Sequence, residues 1–365
     1  IKTGTTILEV KKMYNCSKCN LQSIKDLTIS TLELSIAQEC NMACKYCYLH
    51  GKTENVSPFN RWKELLDMLM NINISNDLTI GLATGELFLD STVGYVYNAV
   101  KKLNKINRFS DTNISYRLYS NGSSAKNIID VFDYIGKYNT MISISYDGKD
   151  SYRKFKIDTI DIEQQLSILS KSGYKDNIII RYGIFDNVEN MFDTFKYIYS
   201  LGFKNIEYYM MNTYDGYRSE DLIKTFSNQL YKVLNHFNGS DFNIYNVNKF
   251  HNYKEPQRTC SYGKTLAVGI NGELSMCSTS FEGEFLDELS IDLSDYEKLP
   301  ELYNKFESMY IEPREIMDCS ECNNFLCEEC CSFKAIGGRN NYNTRKYQQC
   351  NIRHAELEVY NRVLR

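Results

Sequence analysis

The sequence contains no apolar run long enough to span a bilayer, and its N-terminus has no apolar region typical of a signal peptide. It also has no block of lysine and arginine, and its net charge is −4, so a nucleic-acid surface is not indicated. The 365 residues are 43% hydrophobic and 24% charged, an ordinary globular composition with room for two domains. We therefore expect a cytoplasmic protein that binds neither membrane nor nucleic acid.

Cysteine is absent between Cys47 and Cys260, although the chain has 13 cysteines. In a large cytosolic chain, such a cysteine content favours metal sites over disulfides. The gap predicts a cysteine-free scaffold with metal sites at its front and back. Cys16 and Cys19 form an isolated C-x2-C pair, for which metal binding, substrate capture and an incidental occurrence all remain open.

The motif Cys40-x3-Cys44-x2-Cys47 follows the apolar run 32–37. Three thiolates at this spacing cannot share one face of a helix or strand, but a loop can wrap them around one compact metal centre. Cysteines are the usual ligands of iron–sulfur clusters, and a four-iron cubane normally takes four. Three would leave one iron open to bind a small molecule. The alternative is a zinc knuckle or three structural cysteines, but zinc favours paired C-x2-C spacings and four ligands.

With Tyr46 before its last cysteine, this motif resembles the signature of radical S-adenosylmethionine (SAM) enzymes. The resemblance implies a SAM-binding 4Fe–4S cluster on Cys40, Cys44 and Cys47, with Tyr46 at the cofactor. It also implies reductive cleavage of SAM to a 5′-deoxyadenosyl radical that abstracts hydrogen from the substrate, while the protein positions and shields the reactants. A reducing partner such as flavodoxin or ferredoxin is expected to supply the electron.

From residue 32 the chain alternates between strand-like and helix-like segments. The predicted strands are 32–37, 78–84, 115–121, 141–147, 177–184 and 205–212. The predicted helices are 58–73, 91–105, 125–137, 161–172, 189–201, which Gly202 would end, and 219–237. Such alternation predicts parallel strands with right-handed crossovers.

Six such units resemble the partial (β/α)6 barrel of radical SAM enzymes, a TIM-type α/β fold whose chemistry lies at the C-terminal strand ends. We predict three segments: an N-terminal strand-like extension at 1–30, the barrel at 31–238, and a cysteine-rich domain at 239–365.

Residues at the predicted strand ends resemble SAM-binding positions of the family. After strand two, Gly85 and Glu86 match the family's Gly-Gly-Glu-Pro, whereas Thr84 and Leu87 depart from it. Glu86 would accept a hydrogen bond from the SAM ammonium. The further residues that the resemblance assigns to the cofactor are Ser120 and Asn121 after strand three, Ser145 after strand four, Arg153 for the SAM carboxylate, and Met210 beside the adenine. Turn chemistry, a solvated arginine and a core methionine are the alternatives.

The C-terminal cysteines resemble the SPASM extension, which carries two auxiliary 4Fe–4S clusters and brings the expected total to three. Asn271-Gly272 predicts a hairpin between Cys260 and Cys277. The resemblance implies a distal cluster on Cys319, Cys322, Cys327 and Cys350, with zinc as the alternative, and a proximal cluster on Cys260, Cys277 and Cys331. The spacing before Cys327 is one residue shorter than in the family. The fourth ligand of the proximal cluster would be His251 or Cys330. Alternatively, the fourth iron would be open and able to bind a substrate thiolate.

SPASM enzymes act mostly on peptides, so the resemblance implies a precursor-peptide substrate and, most favourably, a thioether or carbon–carbon cross-link. A formylglycine-forming enzyme of the sulfatase-maturase type is an alternative, but Ser278 stands where that branch has an aspartate base. A peptide epimerase is another, with Cys16, Cys19 or Cys330 as hydrogen donor. A non-catalytic iron–sulfur or zinc electron-transfer module is the alternative outside enzymes. We expect a leader-recognition domain to act in trans or to precede Ile1.

Overall fold

The computed structural model describes residues 22–44, 47, 57–110, 112–149, 151, 153–156, 160–184, 187–210, 219–252, 263–278, 289–309 and 342–364. The description of the molecule below is confined to these residues. None of their helices is long and apolar enough to cross a membrane.

The strands of the described residues join in one mixed sheet, with the order β10-β9-β8-β1-β2-β3-β4-β5-β6-β7. Strands β1 to β7 pair in parallel with their sequence neighbours, as the alternating pattern predicts. The strands are β1 Thr28–Ala37, β2 Asn73–Thr84, β3 Asn113–Ser120, β4 Thr140–Ser145, β5 Ile178–Ile184, β6 Asn205–Met210, β7 Asn243–Ile244, β8 Thr265–Val268, β9 Glu273–Ser275 and β10 Ile291–Asp292.

Helices cross over between the strands, which confirms the predicted α/β barrel architecture. They are α1 Trp62–Asn71, α2 Val93–Ser110, α3 Ala125–Ile135, α4 Ile162–Ser170, α5 Met191–Ser200, α6 Glu220–Phe237, α7 Tyr245–Asn252, α8 Leu299–Met309 and α9 Tyr342–Val363. Side chains of Ser124, Asp161 and Ser219 cap the N-termini of α3, α4 and α6. Gly202 follows α5 with a φ of +87°, as predicted for a helix stop.

Strands β1 and β3 alternate between buried apolar residues and half-buried, mostly polar residues. In β1, Leu32, Leu34 and Ile36 are fully buried, whereas the residues between them, including Glu33, are only half-buried. Parallel strands buried on both faces read instead as continuous apolar runs. The inner face of this sheet therefore lines a polar lumen, and the helices cover its outer face.

The predicted Asn271-Gly272 hairpin is present. Strands β8 and β9 pair antiparallel, and Gly272 lies in the turn with a φ of +93°. Strand β8 also pairs in parallel with β1, so the hairpin extends the sheet beyond the first barrel strand.

A buried polar network joins α9 to the outer face of β6. The Tyr208 hydroxyl donates to Glu356, and the Tyr360 hydroxyl lies 2.9 Å from the same carboxylate oxygen. Arg353 donates to the second oxygen of Glu356, and both side chains are almost completely buried. Burial of a charge in a protein requires such pairing, so this network holds the C-terminal helix against the barrel.

Replacing Glu356 by Leu should lower the free energy of unfolding by about 3–5 kcal/mol, because Arg353 loses its buried carboxylate partner. Urea denaturation followed by circular dichroism measures the change. Glu358 is exposed on the same helix, and Glu358→Leu is the matched control, expected to change stability little. Equal stability of the two variants would contradict the network's role.

Candidate functional site

The end of β2 lies directly against the segment that leads into the cysteine motif. Gly85 N–H donates to the Ala37 carbonyl at 3.0 Å, and Glu86 N–H donates to the Glu39 carbonyl at 2.8 Å. A Cβ on Gly85 would lie 2.2 Å from the Glu39 oxygen and 2.4 Å from the Gln38 oxygen. Glycine is therefore required at 85 by the close approach of another backbone segment.

Thr84 has a φ of +114°, a conformation that a β-branched residue rarely adopts. It occupies the position of the first glycine in the family pattern. Such backbone strain typically costs about 1–3 kcal/mol and is retained where the surrounding contacts enforce it. Here the adjacent Gly85 and Glu86 contacts with the β1 end enforce it.

The Glu86 side chain is buried beneath the ends of β2 and β3. Its carboxylate accepts hydrogen bonds from the Ser120 hydroxyl at 2.8 Å, the Phe88 N–H at 3.1 Å and the Asn121 N–H. Burial raises the pKa of Glu86 to about 7, against these hydrogen bonds, which lower it. A buried carboxylate with a pKa near neutrality can accept a cationic partner such as an ammonium group.

Asn121 connects the β3 end to the cysteine loop. Its Nδ2 donates to Asn41 Oδ1 at 2.7 Å and lies 4.0 Å from Cys40 Sγ. Its own Oδ1 accepts from the Ser123 N–H at 2.9 Å, which fixes the orientation of the amide. The structure therefore places the predicted Ser120 and Asn121 beside Glu86 and Cys40, with Ser120 bonded to the carboxylate.

Arg153 lies on the other side of the cysteine loop. Asn41 and Ala43 hydrogen-bond in antiparallel fashion with the segment 154–156, through Ala43 N–H to the Lys154 carbonyl and Lys156 N–H to the Asn41 carbonyl, both at 2.8 Å. The Arg153 guanidinium reaches the Met42 sulfur at 3.8 Å. Its charge partly offsets the burial that raises the pKa of both Cys44 and Glu86.

The three motif cysteines lie close enough to interact electrostatically. Burial raises the pKa of the Cys40 thiol to about 11, and the charges of Glu86, Cys44 and Cys47 act in the same direction. Burial likewise raises the pKa of Cys44. Thiolates at these positions therefore need a strongly electropositive group to stabilise them.

The three motif cysteines are a donor set of the kind that holds an iron–sulfur cluster. None of the three forms a disulfide, and all are partly exposed. In the chemistry of their donors, the residues present fit the predicted cluster. Within the described residues, no three His, Cys, Asp or Glu side chains converge on one metal-ion position.

Ser145 lies at the end of β4, close to Tyr209 of β6. Met210 is the last residue of β6. Both stand at the C-terminal strand ends, as predicted. Their contact with SAM stays a prediction, as does that of Gly85, Glu86, Ser120, Asn121 and Arg153.

Most predicted auxiliary ligands lie outside the described residues, as does Tyr46. Cys277 is half-buried just after β9, and Cys350 lies in α9. The predicted residues outside the description are Cys16, Cys19, Tyr46, Cys260, Cys319, Cys322, Cys327, Cys330 and Cys331.

A charged group on the inner barrel face was not predicted from the sequence. Arg117 of β3 and Arg181 of β5 both approach Glu207 of β6, at 3.2 and 3.6 Å. Each charged residue stands between apolar residues of its strand, in the runs RLYS, IIRYG and IEYY. A charge at an alternating strand position is the signal that could have identified them.

The fold is similar to that of solved proteins that bind AdoMet. The structure of anSMEcpe with bound AdoMet has a TM-score of 0.67 at 16% identity, covering 92% of this chain and 95% of that chain. Streptococcus suis SuiB bound to S-adenosylmethionine has a TM-score of 0.61 at 13% identity, covering 90% of this chain and 78% of that chain. An anSMEcpe structure with AdoMet and the Cp18Cys peptide has a TM-score of 0.63. The predicted resemblance to radical SAM enzymes is confirmed at the level of the fold.

Two relatives match in sequence. An uncharacterized protein of Methanocaldococcus jannaschii is 24% identical over 263 residues, which is 68% of this chain and 84% of the relative. An S-adenosylmethionine-dependent nucleotide dehydratase of Selenomonas ruminantium is 34% identical over 79 residues, which is 20% of this chain and 28% of the relative. No protein-family model matches the chain.

Substituting Gly85 by Ala should prevent normal loading of iron, because the new Cβ must push aside the backbone that leads into Cys40. Overpacking of this kind destabilises by about 1–3 kcal/mol. Thr84→Gly is the matched control: it should raise the free energy of unfolding by about 1 kcal/mol, since relief of strain exceeds the entropic cost of glycine. Iron quantification after reconstitution and urea denaturation test the pair. Normal iron content in Gly85→Ala would contradict this role of the close approach.

The raised pKa of Glu86 predicts a pH-dependent stability in the absence of SAM. The folded chain holds the Glu86 proton up to a pKa of about 7, against the usual 4.5, so the stability that this proton contributes is lost as pH rises through that window. The wild type should therefore lose up to about 3 kcal/mol relative to the non-titrating Glu86→Gln variant between about pH 5 and pH 8. Urea denaturation across this range measures the difference. A constant difference would contradict the pKa shift.

Proposed function

We propose that this chain is a radical SAM enzyme that modifies a ribosomally made peptide, most favourably by forming a thioether or carbon–carbon cross-link. The observation that carries the proposal is the convergence of Cys40, Glu86 and Asn121 at the C-terminal ends of β1, β2 and β3. A 4Fe–4S cluster with SAM on its open iron would supply one-electron cleavage of SAM and hydrogen-atom abstraction from the substrate.

The residues of the site have separate tasks. Cys40, Cys44 and Cys47 would hold the cluster. Glu86 would accept the SAM ammonium, and its hydrogen bonds fix the carboxylate before the cofactor arrives. Arg153 would bind the SAM carboxylate, for which a planar guanidinium is well suited.

Asn121 has a positioning task in this proposal. Its amide holds Asn41 within the cysteine loop and directs an N–H toward Cys40 Sγ. Hydrogen bonds to cluster sulfurs tune the reduction potential. The geometry of the loop is thus coupled to the end of β3.

The peptide substrate and the auxiliary clusters are the finer part of the proposal. Support comes from structures of similar fold with bound peptide: anSMEcpe with Cp18Cys, and SuiB with its precursor peptide SuiA at a TM-score of 0.50. The clusters on Cys260, Cys277 and Cys331 and on Cys319, Cys322, Cys327 and Cys350 would accept the electron released on cross-linking. Flavodoxin or ferredoxin would be the reductant, with leader recognition supplied in trans.

A nucleotide substrate is a second candidate, because one sequence relative is a SAM-dependent nucleotide dehydratase. The two candidates predict different stimulation of SAM cleavage. Cysteine-containing peptides should stimulate 5′-deoxyadenosine formation under the first, and nucleotides under the second. Deuterium incorporation from solvent into a peptide would indicate epimerisation instead of cross-linking.

The cluster assignment is tested by anaerobic reconstitution of the full chain, with iron, sulfide and SAM cleavage measured under dithionite. The wild type should hold about twelve irons, and the Cys40/Cys44/Cys47→Ala variant about eight with no 5′-deoxyadenosine. Glu358→Leu serves as a control for handling, since Glu358 is exposed on α9, away from the motif. A wild type with about four irons would refute the auxiliary clusters. Absence of both iron and cleavage would refute radical chemistry.

A further inference from the structure

Two arginines and one glutamate form a cluster on the inner face of the barrel. Arg117 Nη2 donates to Glu207 Oε2 at 3.2 Å, and Arg181 Nε lies 3.6 Å from the same oxygen. The residues come from β3, β5 and β6, and Arg181 and Glu207 are direct neighbours in the register of β5 and β6. We call Arg117, Arg181 and Glu207 the lumen cluster.

Two tyrosine rings cover the flat faces of the guanidinium groups. The Arg181 Cζ lies 4.5 Å from the centre of the Tyr209 ring and 5.5 Å from that of Tyr119. The Arg117 Cζ lies 5.6 Å from the Tyr119 ring centre. Stacking holds each guanidinium in place while its N–H edge stays available for hydrogen bonding.

The lumen cluster carries one uncompensated positive charge, because two guanidinium groups share a single carboxylate. Among the described residues, no carboxylate other than that of Glu207 forms an ion pair with Arg117 or Arg181. Glu33 of β1 also faces the lumen. In the sheet register, Gly81 of β2 lies between Glu33 and Arg117, and Glu33 forms no ion pair within the described part of the chain. The β3–β6 side of the lumen is therefore positive.

Most N–H donors of Arg117 and Arg181 form no hydrogen bond to the described residues. The side chains of Arg117 and Arg181 carry five N–H donors each, yet their only hydrogen bond to the described residues is that from Arg117 to Glu207. The Nε atoms of Arg117 and Arg181 are both buried and form no hydrogen bond to the described residues. The hydroxyl of Ser143, fully buried and beside Tyr119 in the sheet register, likewise has none. Buried donors are almost always satisfied by protein, water or a ligand, so these two Nε atoms and the Ser143 hydroxyl are available to an oxygen acceptor.

The chemistry of the ligand follows from charge and shape. A planar carboxylate matches the fork of a guanidinium and brings one negative charge, which compensates the single excess positive charge. A phosphate dianion or a triphosphate would leave net negative charge buried in the lumen. The arginine side chains are 38% and 24% exposed, so neither is sealed from solvent.

We propose that the lumen cluster binds a carboxylate of the substrate, either its C-terminus or an acidic side chain, and so fixes the substrate inside the barrel. This assignment deepens the proposed function and rests on it in taking the ligand to be a peptide. The SAM site at the strand ends is separate, since it uses Glu86 and Arg153.

The test is protection from phenylglyoxal, which modifies accessible arginines, in the reconstituted holoprotein with SAM bound. N-acetylglycine is the probe, N-acetylglycinamide its neutral match, and inorganic phosphate the competing oxyanion. The acid should slow modification of Arg117 and Arg181 about five-fold or more, as charge-assisted hydrogen bonds would cover both. Arg61 is the internal control, because it pairs with Asp292 far along the chain and is similarly exposed, at 22%.

Substitutions provide a second readout. Glu207→Gln should tighten N-acetylglycine binding several-fold, because it removes a competing negative charge from the lumen cluster. Glu33→Gln is the matched control on the opposite side of the lumen and should have a smaller effect. Calorimetry measures both affinities, and thermal denaturation establishes that each variant is folded.

Several results would overturn the assignment. The assignment is wrong if N-acetylglycine gives no protection, if it protects Arg61 equally, or if the neutral amide protects the two arginines equally. It is also wrong if phosphate protects more strongly, or if SAM alone gives full protection. Iron content and SAM cleavage are measured on the same preparation. If SAM cleavage is lost but N-acetylglycine still protects Arg117 and Arg181, the proposed function is refuted and the assignment of the lumen cluster stands. If SAM cleavage is intact but protection is lost, only the assignment of the lumen cluster is refuted.

Discussion

The close approach of two backbone segments at the ends of β1 and β2 is the constraint on which the candidate site depends. Gly85 and Glu86 donate to the carbonyls of Ala37 and Glu39, just before Cys40. This contact forces Thr84 into a strained conformation and admits no side chain at 85. It sets the cysteine loop and the Glu86 carboxylate in one fixed relation, so the proposed ligand for iron and the proposed acceptor for an ammonium are positioned together.

The polar inner face of the barrel is the second feature on which the candidate site depends. The outer faces of the strands are buried under helices and supply the stability, which leaves the inner faces free to carry charge. At the strand ends, that freedom is used by Glu86, Asn121 and Arg153, around the cysteine loop. Deeper in the lumen it is used by Arg117, Arg181 and Glu207. The two groups divide the proposed work between the cofactor and the substrate.

Much of the fold could be predicted from the sequence. Strand and helix positions were set by local periodicity, and Gly202 and Asn271-Gly272 marked a helix end and a hairpin through their backbone preferences. The candidate site was predicted in part, since the cysteine spacing and the Gly85-Glu86 pair are local patterns. The hydrogen bonds of the candidate site could not be predicted, because Glu86 meets Ser120 and Asn121 only when β2 and β3 lie side by side.

Local sequence is sufficient to specify the alternation of strands and helices and the grouping of Cys40, Cys44 and Cys47, because both depend on residues close together in the chain. Tertiary packing is needed to bring Gly85 against the backbone of Gln38 and Glu39, and Tyr208 against Glu356. Tertiary packing also makes Arg117 and Arg181 share Glu207. These contacts join residues far apart in sequence, and nothing in a local pattern specifies which distant side chains a barrel brings to the same depth of its lumen.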